Sequence, residues 1–479
     1  MKKLVLLSIP GLRAVDLERL PTLRDMTRSG AVAPLVPSFP AVTCPVQTNM
    51  TTGRRPAAHG IVSNGLYLHE GLPKPRKSLL PPTVGEGTKS DPCNIFPVWP
   101  KSERLPMVEL WTMPNAAVDV PQIWENLHEK VGSDGKPLRS AVWFALMSKY
   151  CGADTICNFA PIHHPDGSES LWCYTRPYLL YGDLRDTFGH FPVKHYWGPL
   201  AGLPASKWIA DTAVVGAQRF KPDFFFIYIP RLDYTPQKFG PDAPQLAGDL
   251  AELDGLLADI RQGVTEAYGG EPTWLVAGEY AMTAVDSVVY PNRILRELGL
   301  LAVEERDGLE YPDFKNSKAF ALCDHQVAHI FFNEADPQRI EQVAGRFRAE
   351  SGIDEVLVGK DDLARYGLDH PRSGRIVLAS KPDSWQAYYF WNDDEKAPAY
   401  ARTVDIHRKP GYDPVEMFFN LETMSVPLDA TLIKGSHGAP VRDGSQKTVL
   451  VSSDASLLGG KMEFDDVDVY SIVESFFVQ

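Results

Sequence analysis

The chain has 479 residues, 44% hydrophobic and 23% charged. This is the composition of a folded globular protein with room for sizeable cores, and it excludes a disordered, collagen-like or disulfide-stapled chain. Lys and Arg number 48 against 61 Asp and Glu, a net charge of −13 at pH 7. A field of that sign repels nucleic-acid backbones and anionic lipid, and no basic run offsets it, so nucleic acid is not an expected partner.

Met1-Lys2-Lys3 followed by the apolar run Leu4–Ile9 imitates a secretory leader, but the run is short and stops at Pro10-Gly11. It reads as a first strand buried on both faces. A helix is expected from Pro21 to Gly30, with proline in its first turn. Ala141–Leu146 and Asp223–Ile229 (DFFFIYI) read as buried strands. An amphipathic helix is expected from Ala243 to Tyr268, ended by Gly269-Gly270, and Thr273–Ala277 as the next strand. Thr448–Ser452 and a helix over Val467–Phe477 close the chain. This alternation predicts an α/β fold with a mostly parallel sheet and helices on both faces. Residues 300–400 break the rhythm with short strands (Val327–Phe332, Glu355–Gly359, Arg375–Ala379) around one helix (Pro337–Ala349). They are expected to form a small inserted α+β lobe, with 1–299 and 401–479 as the core. No segment reaches the length needed to span a bilayer. The six cysteines show no CxxC pair and are expected as reduced thiols of a cytoplasmic protein.

In open parallel sheets the ligand crevice lies beyond the carboxyl ends of the strands, so the residues after each strand carry the chemistry. After the first strand comes Pro10-Gly11; farther on, FPAVTCPVQTNMTTG (39–53) leads into RRPAAHGIVSNG (54–65). Thr43-Cys44-Pro45 enters a short helix that ends at Gly53. A hydroxyl there faces free N–H groups and suits a phosphoryl group, while a plain N-cap is the commoner role of a threonine at such a position. Asp233 follows the triple-phenylalanine strand, Glu279 and Tyr280 follow TWLVAG, and His437 sits in GSHG (435–438).

In this order the segments resemble the alkaline phosphatase superfamily, and within it the type I phosphodiesterase/nucleotide pyrophosphatase branch. TTGRRPAAHGIVSN (51–64) is similar to that family's TGxxPxxHGIxxN segment. Thr43-Cys44-Pro45 is similar to its nucleophile step, Asp233…Gln237 to its DxxxH loop, GEYAM (278–282) to DHGM, and GSHG to its late histidine loop. The sulfatase branch fits less well, because Cys44 lacks the CxPxR context. The resemblance implies an alkaline-phosphatase-like fold, a threonine nucleophile at Thr43, two divalent ions and a small phosphodiester or pyrophosphate substrate. It also marks departures on the ligands. One ion site corresponds to Pro10, Thr43, Glu279 and Tyr280, and proline has no side-chain donor. The other corresponds to Asp233, Gln237 and His437, with an amide in place of an imidazole. The resulting expectation is a hydrolase with Thr43 as nucleophile, Glu279 as general base, and one zinc or manganese ion on Asp233, Gln237 and His437. His325, His329 and His407 form a possible alternative cluster. The competing expectations are a binding protein that lost the chemistry, and a rebuilt site for a small phosphorylated or phosphonate metabolite.

Overall fold

The computed structural model describes residues 2–68, 107–132, 135–163, 169–334, 336–406 and 409–478. In chain order its main elements begin with β1 (Leu4–Ile9), β2 (Ala31–Val36) and α1 (Thr43–Thr52). Next come β3 (Ser140–Trp143), β4 (Thr155–Phe159), β5 (Cys173–Arg176) and α2 (Leu203–Phe220). β6 (Phe224–Tyr228), α3 (Tyr234–Phe239), α4 (Leu246–Tyr268) and β7 (Thr273–Gly278) follow. The inserted region holds β8 (Ala319–Asp324), β9 (Val327–Phe332), α5 (Pro337–Arg348), β10 (Ile353–Val358) and β11 (Ile376–Ser380). β12 (Thr448–Ser452), β13 (Phe464–Asp465) and α6 (Asp468–Val478) end the chain.

Among the described residues the main sheet has nine strands in the order β13-β2-β12-β7-β1-β6-β3-β4-β5. Its centre, β7-β1-β6-β3-β4, is parallel throughout. β12 runs antiparallel to β7 and β2, and β5 antiparallel to β4. Strands β1 and β6 are fully buried, as their unbroken apolar runs require when helices cover both faces. The fold is thus the expected α/β layering.

The inserted region makes a second sheet, β8-β9-β11-β10, antiparallel throughout, with α5 against β10 and β11. Its apolar cluster reaches beyond 300–400, taking in Tyr67 and residues from Val285 to Ile433.

Three expected boundaries shift. β3 ends at Trp143 rather than Leu146, because Phe144 and Met147 turn to φ 58° and 60° and leave the sheet. The first helix stops at Met26, short of Gly30. α4 starts at Leu246, after Pro244. Among the described residues five cysteines are free thiols, all buried; Cys93 lies outside those residues. No described helix is long and apolar enough to cross a membrane.

Candidate active site

The carboxyl ends of β1, β6 and β7 meet α1, the β8–β9 turn and the late loop around one small pocket. Thr43, Asn64, Asp233, Tyr280, His325 and His437 line it, together with an aromatic wall of Trp111, Tyr196, Trp197, Tyr228, Tyr234 and Tyr412 and with Leu146. Thr43, Asp233 and His437, far apart in the chain, therefore converge. Of the alternative cluster only His325 reaches the pocket. His329 is buried inside β9, its Nδ1 accepting from the Gly374 N–H at 3.1 Å, and burial lowers its pKa to about 4. His407 lies outside the described residues.

Thr43 is the first residue of α1 rather than its cap. The cap position belongs to Val42, and no side chain caps this end. Gly53, at φ 64°, closes the other end in the left-handed conformation that suits glycine. The Thr43 hydroxyl lies 3.1 Å from the Tyr280 hydroxyl, which in turn donates to Asp233 Oδ1 at 3.0 Å. The tyrosine proton points to the carboxylate, which leaves the tyrosine oxygen as an acceptor on the Thr43 side, and the Thr43 hydroxyl also faces Glu279, whose ionised form it favours. Next along the helix, the Cys44 N–H donates to Asn64 Oδ1 at 2.8 Å.

Asn64 is itself held by Asp324, which accepts from the Asn64 backbone N–H at 2.9 Å and from its amide at 3.2 Å. The same carboxylate takes the Ser63 hydroxyl at 2.5 Å and the His325 Nδ1–H at 2.7 Å. Burial raises the Asp324 pKa, but these partners, His325 first, outweigh it and leave the group below its ordinary value. His325 occupies the β8–β9 turn at φ 57°. Its ring lies between Tyr412 (3.9 Å) and His437 (4.0 Å), and His437 stacks on Tyr280. The result is a column of four rings, Tyr412–His325–His437–Tyr280.

The segment 51–64, the strongest motif in the sequence, is largely architectural. The His59 Nε2–H donates to Asn49 Oδ1 at 2.7 Å, and the Asn49 amide donates to buried Asp466 at 2.8 Å. Burial depresses the His59 pKa to about 3, so this ring is a neutral brace.

Behind the pocket, Glu279 is fully buried. Its Oε1 accepts from Ser8 Oγ at 2.6 Å and from the Gln47 amide at 2.8 Å, while Oε2 has no partner. Burial pushes its pKa up to about 8, against the Ser8 and Gln47 hydrogen bonds and the facing Thr43 hydroxyl, which favour the ionised form. Asp233, half-buried, is also raised, first by desolvation. No lysine or arginine is among the lining residues. Nearby Lys409 is spent on a buried triad with Asp413 (2.7 Å) and Glu416 (2.6 Å).

The donors for two metal ions are not reproduced. Pro10 ends β1 without a ligand atom, and the Tyr280 hydroxyl is held between Thr43 and Asp233. Both ends of the Gln237 amide are engaged, its oxygen by the Tyr412 hydroxyl at 2.8 Å and its nitrogen by the Asp233 carbonyl at 3.2 Å. Among the described residues no three His, Cys, Asp or Glu side chains converge as a ligand set. His437 presents an unpartnered nitrogen, Nε2, while its Nδ1–H donates to the Ala41 carbonyl at 2.8 Å. The side chains present do not fit an ion pair.

Reading strand ends located Thr43, Asp233, Glu279, Tyr280 and His437. It did not single out Tyr196 and Tyr228. Tyr228 carried a usable signal as the last residue of an otherwise apolar strand. Tyr196 lies in an aromatic-rich stretch whose pattern points to no particular residue.

The sequence model of a family described as type I phosphodiesterase / nucleotide pyrophosphatase matches residues 4–413. No curated protein sequence matches the chain. Among solved structures, phosphonoacetate hydrolase from Sinorhizobium meliloti 1021 in complex with phosphonoformate superposes with a TM-score of 0.59 at 16% identity, covering 99% of this chain and 96% of that one. Murine ectonucleotide pyrophosphatase / phosphodiesterase 5, in an inactive form with AMP, superposes with a TM-score of 0.56 at 12% identity, covering 100% and 95%. At these identities the likeness is one of fold.

Proposed function

The chain belongs to the type I phosphodiesterase / nucleotide pyrophosphatase family, and from that membership and the chemistry of its pocket we propose a hydrolase of small phosphoesters in which Thr43 is the nucleophile and Glu279 its base. The observation that carries the proposal is the position of the Thr43 hydroxyl: at the start of α1, facing the pocket, beside a carboxylate whose pKa is about 8. A base with a pKa near the working pH combines a useful ionised fraction with the strength to take a proton. Threonine needs such help, because its hydroxyl is a weak nucleophile at its free pKa.

In the first step the Thr43 oxygen bonds to phosphorus, its proton passes to Glu279, and the bond from phosphorus to the leaving oxygen breaks. The leaving alkoxide takes a proton from water. In the second step water attacks phosphorus and releases a proton to solvent. The bond to the Thr43 oxygen breaks, and that oxygen recovers its proton from Glu279. No step is assigned to a metal ion. The single zinc or manganese ion expected on Asp233, Gln237 and His437 would have only Asp233 and His437 to hold it, since the Gln237 amide is engaged, and it stands as the competing reading that chelator decides. It is supported by the free Nε2 of His437 and by the charge of two raised carboxylates, which a cation would relieve.

The test is turnover of a chromogenic phosphodiester by the full chain and by Thr43→Ala. Activity in the parent and its loss in the variant support the proposal; equal activity in both overturns the nucleophile. An inactive parent that still binds phosphate makes the chain a binding protein on the same fold. Phosphonoacetate belongs in the same assay, since a rebuilt site for a phosphonate is the other alternative.

A further inference from the structure

The family's ions serve as cations for a phosphoryl group, and this pocket keeps only part of their ligand set, with no lysine or arginine among its lining residues to replace them. What it has instead is phenols. Tyr196, Tyr228, Tyr234, Tyr280 and Tyr412 all line it. The hydroxyls of Tyr280 and Tyr412 are committed to Asp233 and Gln237. Those of Tyr196, Tyr228 and Tyr234 make no hydrogen bond within the described residues. They lie toward the site's carboxylates: the charge of Asp233 disfavours the phenolate of all three, and Glu279 does the same to Tyr196 and Tyr228. Burial acts in the same direction and more strongly, so each keeps its proton and remains a donor.

We infer that Tyr196, Tyr228 and Tyr234 form a hydroxyl cradle that holds the oxygens of a tetrahedral ligand where relatives use metal ions, and that the pocket accepts a singly charged group in preference to a doubly charged one. The inference rests on the reading of the pocket as a phosphoryl site, and extends it by naming the holding groups and the charge class. Neutral donors aimed at an oxyanion in a water-poor site stabilise it strongly. They supply no net positive charge, however, and Asp233 and Glu279 stand close by. A second negative charge on the ligand then meets repulsion without compensation. A diester or a phosphonate monoester carries one charge, whereas a phosphomonoester carries nearly two at neutral pH.

The experiment measures binding of dimethyl phosphate and of inorganic phosphate to the full chain at pH 8 with EDTA present, by calorimetry. It is repeated for Tyr196→Phe, Tyr228→Phe and Tyr234→Phe, which remove one oxygen and keep the ring. Dimethyl phosphate is expected to bind more tightly than phosphate, and each variant to bind it about tenfold more weakly. Melting curves of the three variants show whether the fold is kept, and any one that folds suffices. Three overturning results are defined: unchanged binding in every folded variant, tighter binding of the dianion, and binding that appears only when zinc or manganese replaces EDTA. The outcome separates from that of the hydrolase assay. A chain that turns over a diester but ignores the tyrosine substitutions keeps the hydrolase reading and loses the cradle. A chain that binds through the tyrosines without turnover does the reverse.

Discussion

The ring of Tyr280 lies flat on the imidazole of His437, with centroids 3.6 Å apart and planes within 3°. The stack places the tyrosine hydroxyl between Thr43 and Asp233, and burial keeps His437 neutral, well below its ordinary pKa. In the family resemblance position 280 belongs to a histidine ligand and position 10 to an aspartate. On that resemblance, a tyrosine with a neutral hydroxyl and a proline without a donor would remove two ligands from one ion site.

Restoring those two ligands should restore the ion. Pro10→Asp combined with Tyr280→His is expected to retain zinc through gel filtration, measured by elemental analysis, at a higher stoichiometry than the parent. The parent's activity is expected to withstand EDTA. A parent that loses activity in chelator and regains it with zinc or manganese would instead place an ion on Asp233 and His437.

Glu279 sets two opposing pH dependences. As the proposed base it would work ionised, so activity is expected to rise with pH through about 8 and then level. For stability the sign is reversed. A carboxyl whose pKa is raised from an ordinary 4.5 to about 8 favours the fold while protonated. That contribution is complete below the unfolded pKa and lost as pH rises through 8. Glu279→Gln should abolish the activity, and should melt higher relative to the parent at pH 9 than at pH 5. Equal pH dependence of melting in both proteins would show that Glu279 is not the buried titrating group.

Thr43→Ser tests the hydroxyl separately from the methyl group. Because Thr43 has no capping bond to lose, the serine variant is expected to keep most of the turnover, and the alanine variant to lose about a thousandfold or more. Steady-state kinetics on one chromogenic diester compares the two. Comparable loss in both would indicate that packing of the methyl group, not the oxygen, matters.

The apolar runs at Leu4–Ile9 and Phe224–Tyr228 were legible in sequence because strands buried on both faces leave a continuous hydrophobic signal. The residues after them were legible for the same reason, as polar groups where such runs end. The state of those polar groups was not. Gln237 reads as a weaker ligand in sequence, but its amide is saturated by Tyr412, a partner 175 residues away. Nothing local in the sequence shows that Lys409 is buried against Asp413 and Glu416. His325 and His329 sit four residues apart and look alike in sequence. A turn residue with φ 57° turns one into the pocket, while the regular strand buries the other. These distinctions depend on long-range packing, which local pattern does not encode.

Asp324 joins the inserted sheet to the pocket. It ends β8, is fully buried, and accepts from Ser63, from both nitrogens of Asn64 and from His325. Asn64 passes this constraint to the Cys44 N–H and so to the start of α1. Asp324→Asn removes the charge that four donors share and introduces an amide that must donate where only donors face it. The expected cost is about 1–3 kcal/mol, the range for leaving a buried hydrogen-bonding group without its partner, seen as a lower unfolding midpoint. The pKa of Asp324 is lowered, so its stabilisation is present above the unfolded carboxyl pKa and lost as pH falls through the folded one. The gap in unfolding free energy between parent and variant should therefore narrow in acid. Turnover should fall as well, because the Thr43 end of α1 loses its anchor through Asn64. A variant that melts like the parent at pH 7 would show that Asp324 carries no net stabilising charge, and that the anchor lies elsewhere.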